Sequence, residues 1–318
     1  IVHYSHLFEI IMPEFSIEIF YKYLSSILLY TEIHFRFKWI GSRYFKFEPE
    51  IISDLPIRVE PGKKLPIFLF IKDSNLYSLK LINIEVNIYQ AESIIKTYKR
   101  KYDININDHF WNDTLFISVN DIHGYVEIDT IITYKINNKI NQCHIHNYPL
   151  CSHEKMKTYI SDTPYPNDGN VIYGDLHYHS NLTEDMVEFG APIVPTLEAA
   201  ECMGLDFFCN TDHSYDLDDK YGSWTESDPQ LKKWNDSRQE IDRLNSNDSY
   251  TSFIIPSEEL SMHNIDGKNI HALILNNRAF LPGAGDGAEK PFHFTCEYNT
   301  HNLYLNLEDK SLCIAAHP

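Results

Sequence analysis

Long apolar runs and paired cysteines are both scarce in this 318-residue sequence. No uncharged apolar run reaches the ~18 residues that a membrane-spanning helix needs, so we expect no membrane span. The six cysteines include no Cys-x-x-Cys pair, which favours a reduced, cytoplasmic protein over a disulfide framework. Cys202, Cys209 and Cys313 lie in apolar stretches, which predicts buried thiols. Because the chain starts at Ile1 and stops at Pro318, we expect a fragment at both ends and leave a signal peptide open.

Basic residues are also few, with 27 Lys and Arg against 45 Asp and Glu, for a formal net charge of −18. Residues 171–318 hold 25 acidic and 9 basic residues, a net charge of −16, whereas residues 1–170 carry only −2. The excess of acidic residues in 171–318 argues against binding of a long nucleic acid there, because contacts to the phosphate backbone require Lys and Arg. Carboxylates placed close together repel one another, and bound divalent cations would offset part of that charge.

The first half of the chain shows the two-residue period of half-buried strands. Apolar and polar residues alternate at 82–89 and 126–134, and other short strand-like runs with turn signals lie around them. This pattern predicts an immunoglobulin-like β-sandwich domain over residues 1–152. Two prolines and an Asn-Asp-Gly-Asn run interrupt any element after it, so residues 153–170 are predicted to be a linker.

The second half alternates strands with helices. A helix is predicted through Thr196–Met203, with Pro195 near its start and Gly204 after its end, and another through Asp228–Asn245, where apolar residues recur at three and four positions. Strand–helix alternation is typical of βα units in a parallel sheet.

Histidines and carboxylates collect at the ends of the predicted strands in this half. In Gly174–Ser180, His177 and His179 lie two apart and so point to the same face of a strand. A helix and a second strand follow, and the second strand leads to Asp212 and His213. This order of strand, helix and strand would bring the pair His177 and His179 and the pair Asp212 and His213 to one edge of a parallel sheet. Catalytic residues of α/β enzymes lie at that edge.

Further residues of the same type follow along the chain. Glu258 and Glu259 come after a strand-like run, His271 opens another, and His317 closes a third. Imidazole and carboxylate ligands without thiolate suit Zn, Mn or Fe.

In combination, these motifs resemble the PHP (polymerase and histidinol phosphatase) domain family. The resemblance covers about residues 171–318 and rests on Asp-Leu-His-x-His-Ser, Thr-Asp-His, a Glu before a strand-end Ser, a strand-start His and Ala-His-Pro, in that order. It implies a distorted (β/α)7 barrel, here truncated at its C-terminus, that binds up to three divalent metal ions and hydrolyses phosphoesters. The implied substrate is a small phosphorylated molecule or a short oligonucleotide.

The resemblance also implies a role for each matching residue. His177 and His179 match the pair on the first metal, Glu259 the carboxylate bridging the first and second metals, and His271 and His317 the remaining ligands of the second. His213 matches a ligand of the third metal, and Asp185 the ligand after the first motif, with Glu184 beside it as the alternative. Glu258 is the alternative to Glu259. The catalytic residues would be His177, His179, His213 and Glu259. The family's last motif, Asp-x-His, would lie beyond Pro318.

Two other functions are compatible with these residues. A metal-dependent amidohydrolase also opens with His-x-His, although it commonly bridges its metals with a Lys, and no Lys lies at the end of a predicted strand in residues 171–318. A catalytically inactive barrel could instead serve as a scaffold for partners. A second His-x-His, formed by His144 and His146, has no ligand cluster after it and is interpreted as part of a solvent-facing strand.

Overall fold

The computed structural model describes residues 48–148, 151–166, 169–184, 190–223, 226–283 and 296–317. By its contacts, the chain divides into residues 1–45 and 46–318, and every described residue belongs to the second unit. The first 47 residues of the predicted sandwich therefore lie outside the described residues.

Nine strands form two sheets in the first part of this unit: β1 (Glu50–Asp54), β2 (Arg58–Val59), β3 (Leu65–Lys72), β4 (Leu79–Gln90), β5 (Ser93–Ile106), β6 (Phe110–Ile117), β7 (Gly124–Ile136), β8 (Lys139–His144) and β9 (Met156–Ile160). One sheet has the order β1-β3-β6, and the other has the order β2-β9-β7-β4-β5 with β8 paired to β7. Buried aliphatic residues of both sheets form one hydrophobic cluster, because the alternating pattern gives each strand an apolar face. We refer to these two sheets as the sandwich.

Strand β9 lies inside the segment predicted to be a linker. It pairs antiparallel with β7 and parallel with β2, so Met156–Ile160 belongs to the larger sheet. The predicted boundaries at residues 152 and 170 stay predictions.

A third sheet contains β10 (Gly174–Tyr178), β11 (Phe207–Asn210), β12 (Phe253–His263), β13 (Asn269–Leu275) and β14 (Leu312–Ala315), in that order. Four described helices accompany it: α1 (Ile193–Met203), α2 (Ser214–Leu217), α3 (Lys232–Asn245) and α4 (Thr300–Tyr304). Strands β10, β11 and β12 are parallel, whereas β12–β13 and β13–β14 are antiparallel.

The predicted (β/α)7 barrel is wrong for this chain. The described residues are 45% strand and 14% helix and are arranged in three sheets, whereas such a barrel needs a helix after every parallel strand. Only residues 264–268 connect β12 to β13, which is too short for the crossover of a dozen or more residues that parallel pairing requires. Among the described residues, parallel strands connected through helices therefore occur only from β10 to β12.

Helix α1 packs against both the sandwich and the third sheet. Pro195 is tolerated in its first turn, and Gly204 ends it at φ +74°, a backbone conformation that glycine adopts without strain. Cys202 belongs to the hydrophobic cluster of the sandwich, whereas Leu197 and Ala200 pack with residues of the third sheet. One short helix therefore fixes the two parts to each other.

The described helices and the six cysteines bear on the membrane and disulfide predictions. None of the described helices is both long enough and apolar enough to cross a membrane. All six cysteines are free thiols. Cys202 and Cys209 are buried as predicted, but Cys313 is exposed because β14 is an edge strand with only one neighbour among the described strands.

Candidate metal centre

The third sheet brings the histidine motifs to one place through its register. Strands β10 and β11 are parallel, so the residues after them, His179 and His213, leave the same edge of the sheet. Strand β12 continues past that edge, where the Glu259 backbone N–H donates to Asp212 O at 2.9 Å. On β13, His271 lies opposite Ser261, diagonally across from Glu259 and on the same face.

The Glu259 carboxylate lies at the centre of these histidines. Its Oε2 is 2.7 Å from His177 Nε2 and 2.7 Å from His179 Nε2, and the two imidazole nitrogens are 3.0 Å apart. These three side chains converge on one point although Glu259 is 80 or more positions later in the sequence. The His-x-His pair and Glu259 thus form a first group of ligand-type atoms.

Three more histidines lie around Glu259. Its other oxygen, Oε1, is 2.8 Å from His271 Nδ1 and 3.4 Å from His317 Nε2. His213 Nδ1 is 3.6 Å from Oε2, the oxygen that also faces His177 and His179, and the His213 ring stacks on Tyr215 with 4.6 Å between centroids. His213, Glu259 and His271 form a second group, and within each group the ligand atoms lie within 4.8 Å of one another.

These spacings are close to those of divalent metal coordination. With bonds of ~2.0–2.2 Å, neighbouring ligand atoms around a tetrahedral ion are about 3.3–3.6 Å apart. The separations around Glu259 run from 2.7 Å, a hydrogen-bond distance, up to 3.6 Å. A carboxylate shared by two groups of histidines could hold two ions, with Glu259 as the bridge.

Electrostatics keeps Glu259 ionised. Burial on its own raises the pKa of Glu259, but hydrogen bonds from His177, His179 and His271 and the charge of His213 outweigh it and hold that pKa well below its usual range. Only 1% of the Glu259 side chain is exposed, whereas His177 is 32% and His317 58% exposed. The charge is therefore buried, and the site is accessible from the side of these two histidines.

The neighbouring carboxylate, Glu258, points away from the histidines, as the alternation along a strand requires. It accepts hydrogen bonds from Asn277 Nδ2, from the Leu281 backbone N–H at 3.2 Å and from Ser214 Oγ at 3.2 Å. Burial raises the pKa of Glu258 to about 8. Of the two candidates for a bridging carboxylate, only Glu259 faces the site.

The buried carboxylate of Asp212 organises the loop that follows His179. It accepts hydrogen bonds from Ser180 N at 2.6 Å, Ser180 Oγ at 2.7 Å, Thr183 Oγ1 at 3.0 Å and Asn210 Nδ2 at 2.8 Å. These bonds use the carboxylate oxygens within the protein, so Asp212 supports the ligands on either side of it. Its position beside His213 was the only signal for this role in the sequence.

Six of the seven predicted metal ligands come together in this structure: His177, His179, His213, Glu259, His271 and His317. The seventh, Asp185, lies outside the described residues. Among the described residues the ligand atoms form two groups, and His213 shares one of them with Glu259 and His271. His144 lies away from both, with its Nδ1 3.0 Å from the carboxylate oxygens of Asp129 in the sandwich.

Comparisons with known proteins add little to this geometry. No family model matches the sequence, and no curated protein matches it. Among solved structures, the sporulation control protein Spo0M from Bacillus subtilis is similar over 85% of this chain and 91% of that chain, with 8% sequence identity and a TM-score of 0.24. A likeness this low supports no statement about fold or function.

Proposed function

We propose that this protein hydrolyses phosphoester bonds with divalent metal ions held by Glu259 and the histidines around it. The observation that carries the proposal is the position of Glu259, whose two oxygens lie 2.7–3.6 Å from the imidazole nitrogens of five histidines. Two histidine groups sharing one buried carboxylate are more than a structural ion pair needs.

Each ligand has a defined place in this proposal. His177 and His179 would hold one ion with Glu259, and His213 and His271 would hold the other, with His317 close by. Divalent ions held there would supply an acidified water molecule and would screen the charge of a phosphate. The protein's own part is to keep Glu259 ionised and the imidazoles fixed, and the donor set suits Zn, Mn or Fe.

Charge supports a small substrate. Residues 171–318 carry a net charge of −16, so a phosphate would be repelled unless cations were bound there, and a long nucleic acid would find few basic partners. The proposed substrate is a small phosphorylated molecule or a short oligonucleotide, entering beside the partly exposed His177 and His317. The six free thiols favour a reducing, cytoplasmic location.

A substrate panel tests the proposal. The chain, purified without chelators and supplied with Mn or Zn, is assayed on aryl phosphomonoesters, aryl phosphodiesters, a dinucleotide, and amide and cyclic-amide substrates. We expect metal-dependent release of the aryl alcohol from at least one phosphoester and none after treatment with a chelator. Turnover of amides alone would establish an amidohydrolase instead. A metal-loaded protein that turns over no member of the panel would favour an inactive scaffold.

A further inference from the structure

Two basic residues of the sandwich reach the loop that follows the His-x-His motif. His109, just before β6, hydrogen-bonds Glu184 through Nε2, and Lys72, at the end of β3, places its Nζ 3.4 Å from the same carboxylate. Lys72 and Glu184 are mostly buried, so solvent screens this contact less than an ion pair on the surface. Lys72, His109 and Glu184 are called the clamp below.

The loop that the clamp holds also carries the supports of the metal ligands. Next to Glu184, the fully buried Thr183 donates from Oγ1 to Asp212 and accepts the His213 backbone N–H at 3.2 Å. Asp212 in turn accepts the backbone N–H of Ser180, the residue after His179. Hydrogen bonds, together with the backbone links from Glu184 to Thr183 and from Ser180 to His179, therefore join the sandwich to both His179 and His213.

The clamp is not needed to attach the sandwich to the third sheet. That attachment has contacts of its own along α1, where Glu60 N donates to Cys202 O at 2.8 Å, Thr114 Oγ1 to Glu198 at 2.9 Å and Lys63 Nζ to Glu201 at 3.0 Å. Removing one clamp residue would leave these contacts and the shared hydrophobic packing of α1 intact. The clamp acts instead on residues 180–184, beside the site.

We propose that His109 and Lys72 of the sandwich hold Glu184 and thereby position His179 and His213 for metal binding. The sandwich would then contribute to the metal centre. This inference rests on the proposed function, because it requires a bound metal. The contact of His109 and Lys72 with Glu184 is observed whether or not metal binds. Mutating a residue that hydrogen-bonds directly to a metal ligand typically changes metal affinity 10- to 100-fold. The clamp residues do not contact a ligand themselves, so we expect a smaller change from mutating them. His109 and Lys72 are thus positioning residues.

The test compares His109→Ala with His123→Ala. Both histidines lie in the sandwich and pair with a carboxylate, but His123 pairs with Asp162 at 2.5 Å and does not contact the loop. In the metal-free proteins, we expect His109→Ala to speed hydrogen exchange at the Leu182 and Thr183 amides about tenfold, while His123→Ala leaves it unchanged. This measurement requires no metal and no activity.

Metal affinity provides the second readout. Competition with a chelator should show the dissociation constant for Mn or Zn raised about three- to tenfold in His109→Ala and unchanged in His123→Ala. His109→Gln, which keeps a donor near Glu184, should recover part of the loss. Combining His109→Ala with Lys72→Met should cost less than the sum of the single losses, because both act through Glu184.

The outcomes separate the two proposals. If wild-type protein binds no metal, the proposed function and the metal-positioning role both fail, and the exchange measurement decides only whether the clamp holds the loop. If exchange at Leu182 and Thr183 is the same in His109→Ala and His123→Ala, the clamp does not position the loop. If exchange rises but metal affinity stays within twofold of the control, the loop is held by the sandwich without serving the metal centre, and the inference is overturned.

Discussion

Glu258 and Glu259 are adjacent and chemically identical, yet they occupy opposite faces of β12. Glu259 faces five histidines, whereas Glu258 is surrounded by Ser214, Asn277 and the Leu281 backbone. From the sequence, only the spacing to Leu260-Ser261 favoured Glu259. The structure provides the physical reason, since side chains alternate along a strand and only one of two neighbours can face the site.

Exchanging each of these carboxylates for an amide tests the bridge. Glu259→Gln keeps the shape but removes the negative charge that two cations would share, and we expect phosphoesterase activity to fall about 100-fold or more. The loss should be accompanied by weaker metal binding and a folded far-UV circular dichroism spectrum. The rate is measured with saturating Mn on the best substrate of the panel.

Glu258→Gln is the matched control. A Gln oxygen can still accept from Asn277 and Leu281, and its amide nitrogen can donate to Ser214 Oγ, so the hydrogen bonds of Glu258 have replacements. We expect turnover within about threefold of wild type, since the side chain points away from the site. Equal activity of Glu259→Gln and wild type would contradict the bridging role.

Among the elements, α1 shows best what sequence can predict. Its end follows from Gly204, which acts through local backbone geometry, and the structure confirms the helix but begins it at Ile193, three residues before the predicted Thr196. The helix at Lys232–Asn245 also lies within its predicted span. Local signals identify such elements because helix hydrogen bonds join residues four apart.

Strand pairing could not be predicted in the same way. The apolar run at His271–Leu275 identifies a strand, but nothing within it specifies whether it pairs parallel or antiparallel with β12. The predicted barrel was wrong for that reason. Contacts such as that of His109 with Glu184, 75 positions apart, could not be predicted from the sequence either, because they form only when the sheets are assembled.

The contacts that Glu201 of α1 makes with neighbouring residues predict that the free energy of unfolding depends on pH. Glu201 Oε1 accepts from the backbone N–H groups of Thr251 at 2.5 Å and Ser252 at 2.6 Å, and its Oε2 lies 3.0 Å from Lys63 Nζ. Burial on its own raises the pKa of Glu201, but these bonds outweigh it and lower that pKa to about 2. The stabilisation is therefore present above the ordinary carboxyl pKa of 4.5 and is lost as the pH falls toward 2.

Glu201→Gln should accordingly lower the unfolding free energy by about 1 kcal/mol at pH 7, since Gln keeps an acceptor but loses the charge. The difference should shrink as the pH falls below 4.5, as measured by urea unfolding at a series of pH values. Glu226→Gln, which breaks only the exposed pair with Lys220, should leave unfolding unchanged throughout. A deficit for Glu201→Gln that is constant from pH 7 to 3 would exclude the charge as its cause.

At the scale of the whole molecule, the described residues comprise a sandwich, a helix packed against both parts, and a partly parallel sheet that carries the Glu259 carboxylate. The sequence motifs predicted the ligands individually, because His-x-His on a strand and His at a strand end are local patterns. Their arrangement as two groups sharing Glu259 depends on the register of β12 against β11 and β13, which only the folded sheet determines.

Anomalous diffraction from crystals of the full chain grown with Mn tests this arrangement most directly. We expect two anomalous peaks, one within about 2.3 Å of His177, His179 and Glu259 and one within about 2.3 Å of His213, Glu259 and His271, because metal–ligand bonds are ~2.0–2.2 Å. Soaking with a chelator should remove both peaks and leave the sheet unchanged. Fully occupied metal elsewhere in the crystal, with no peak beside Glu259, would contradict the central claim.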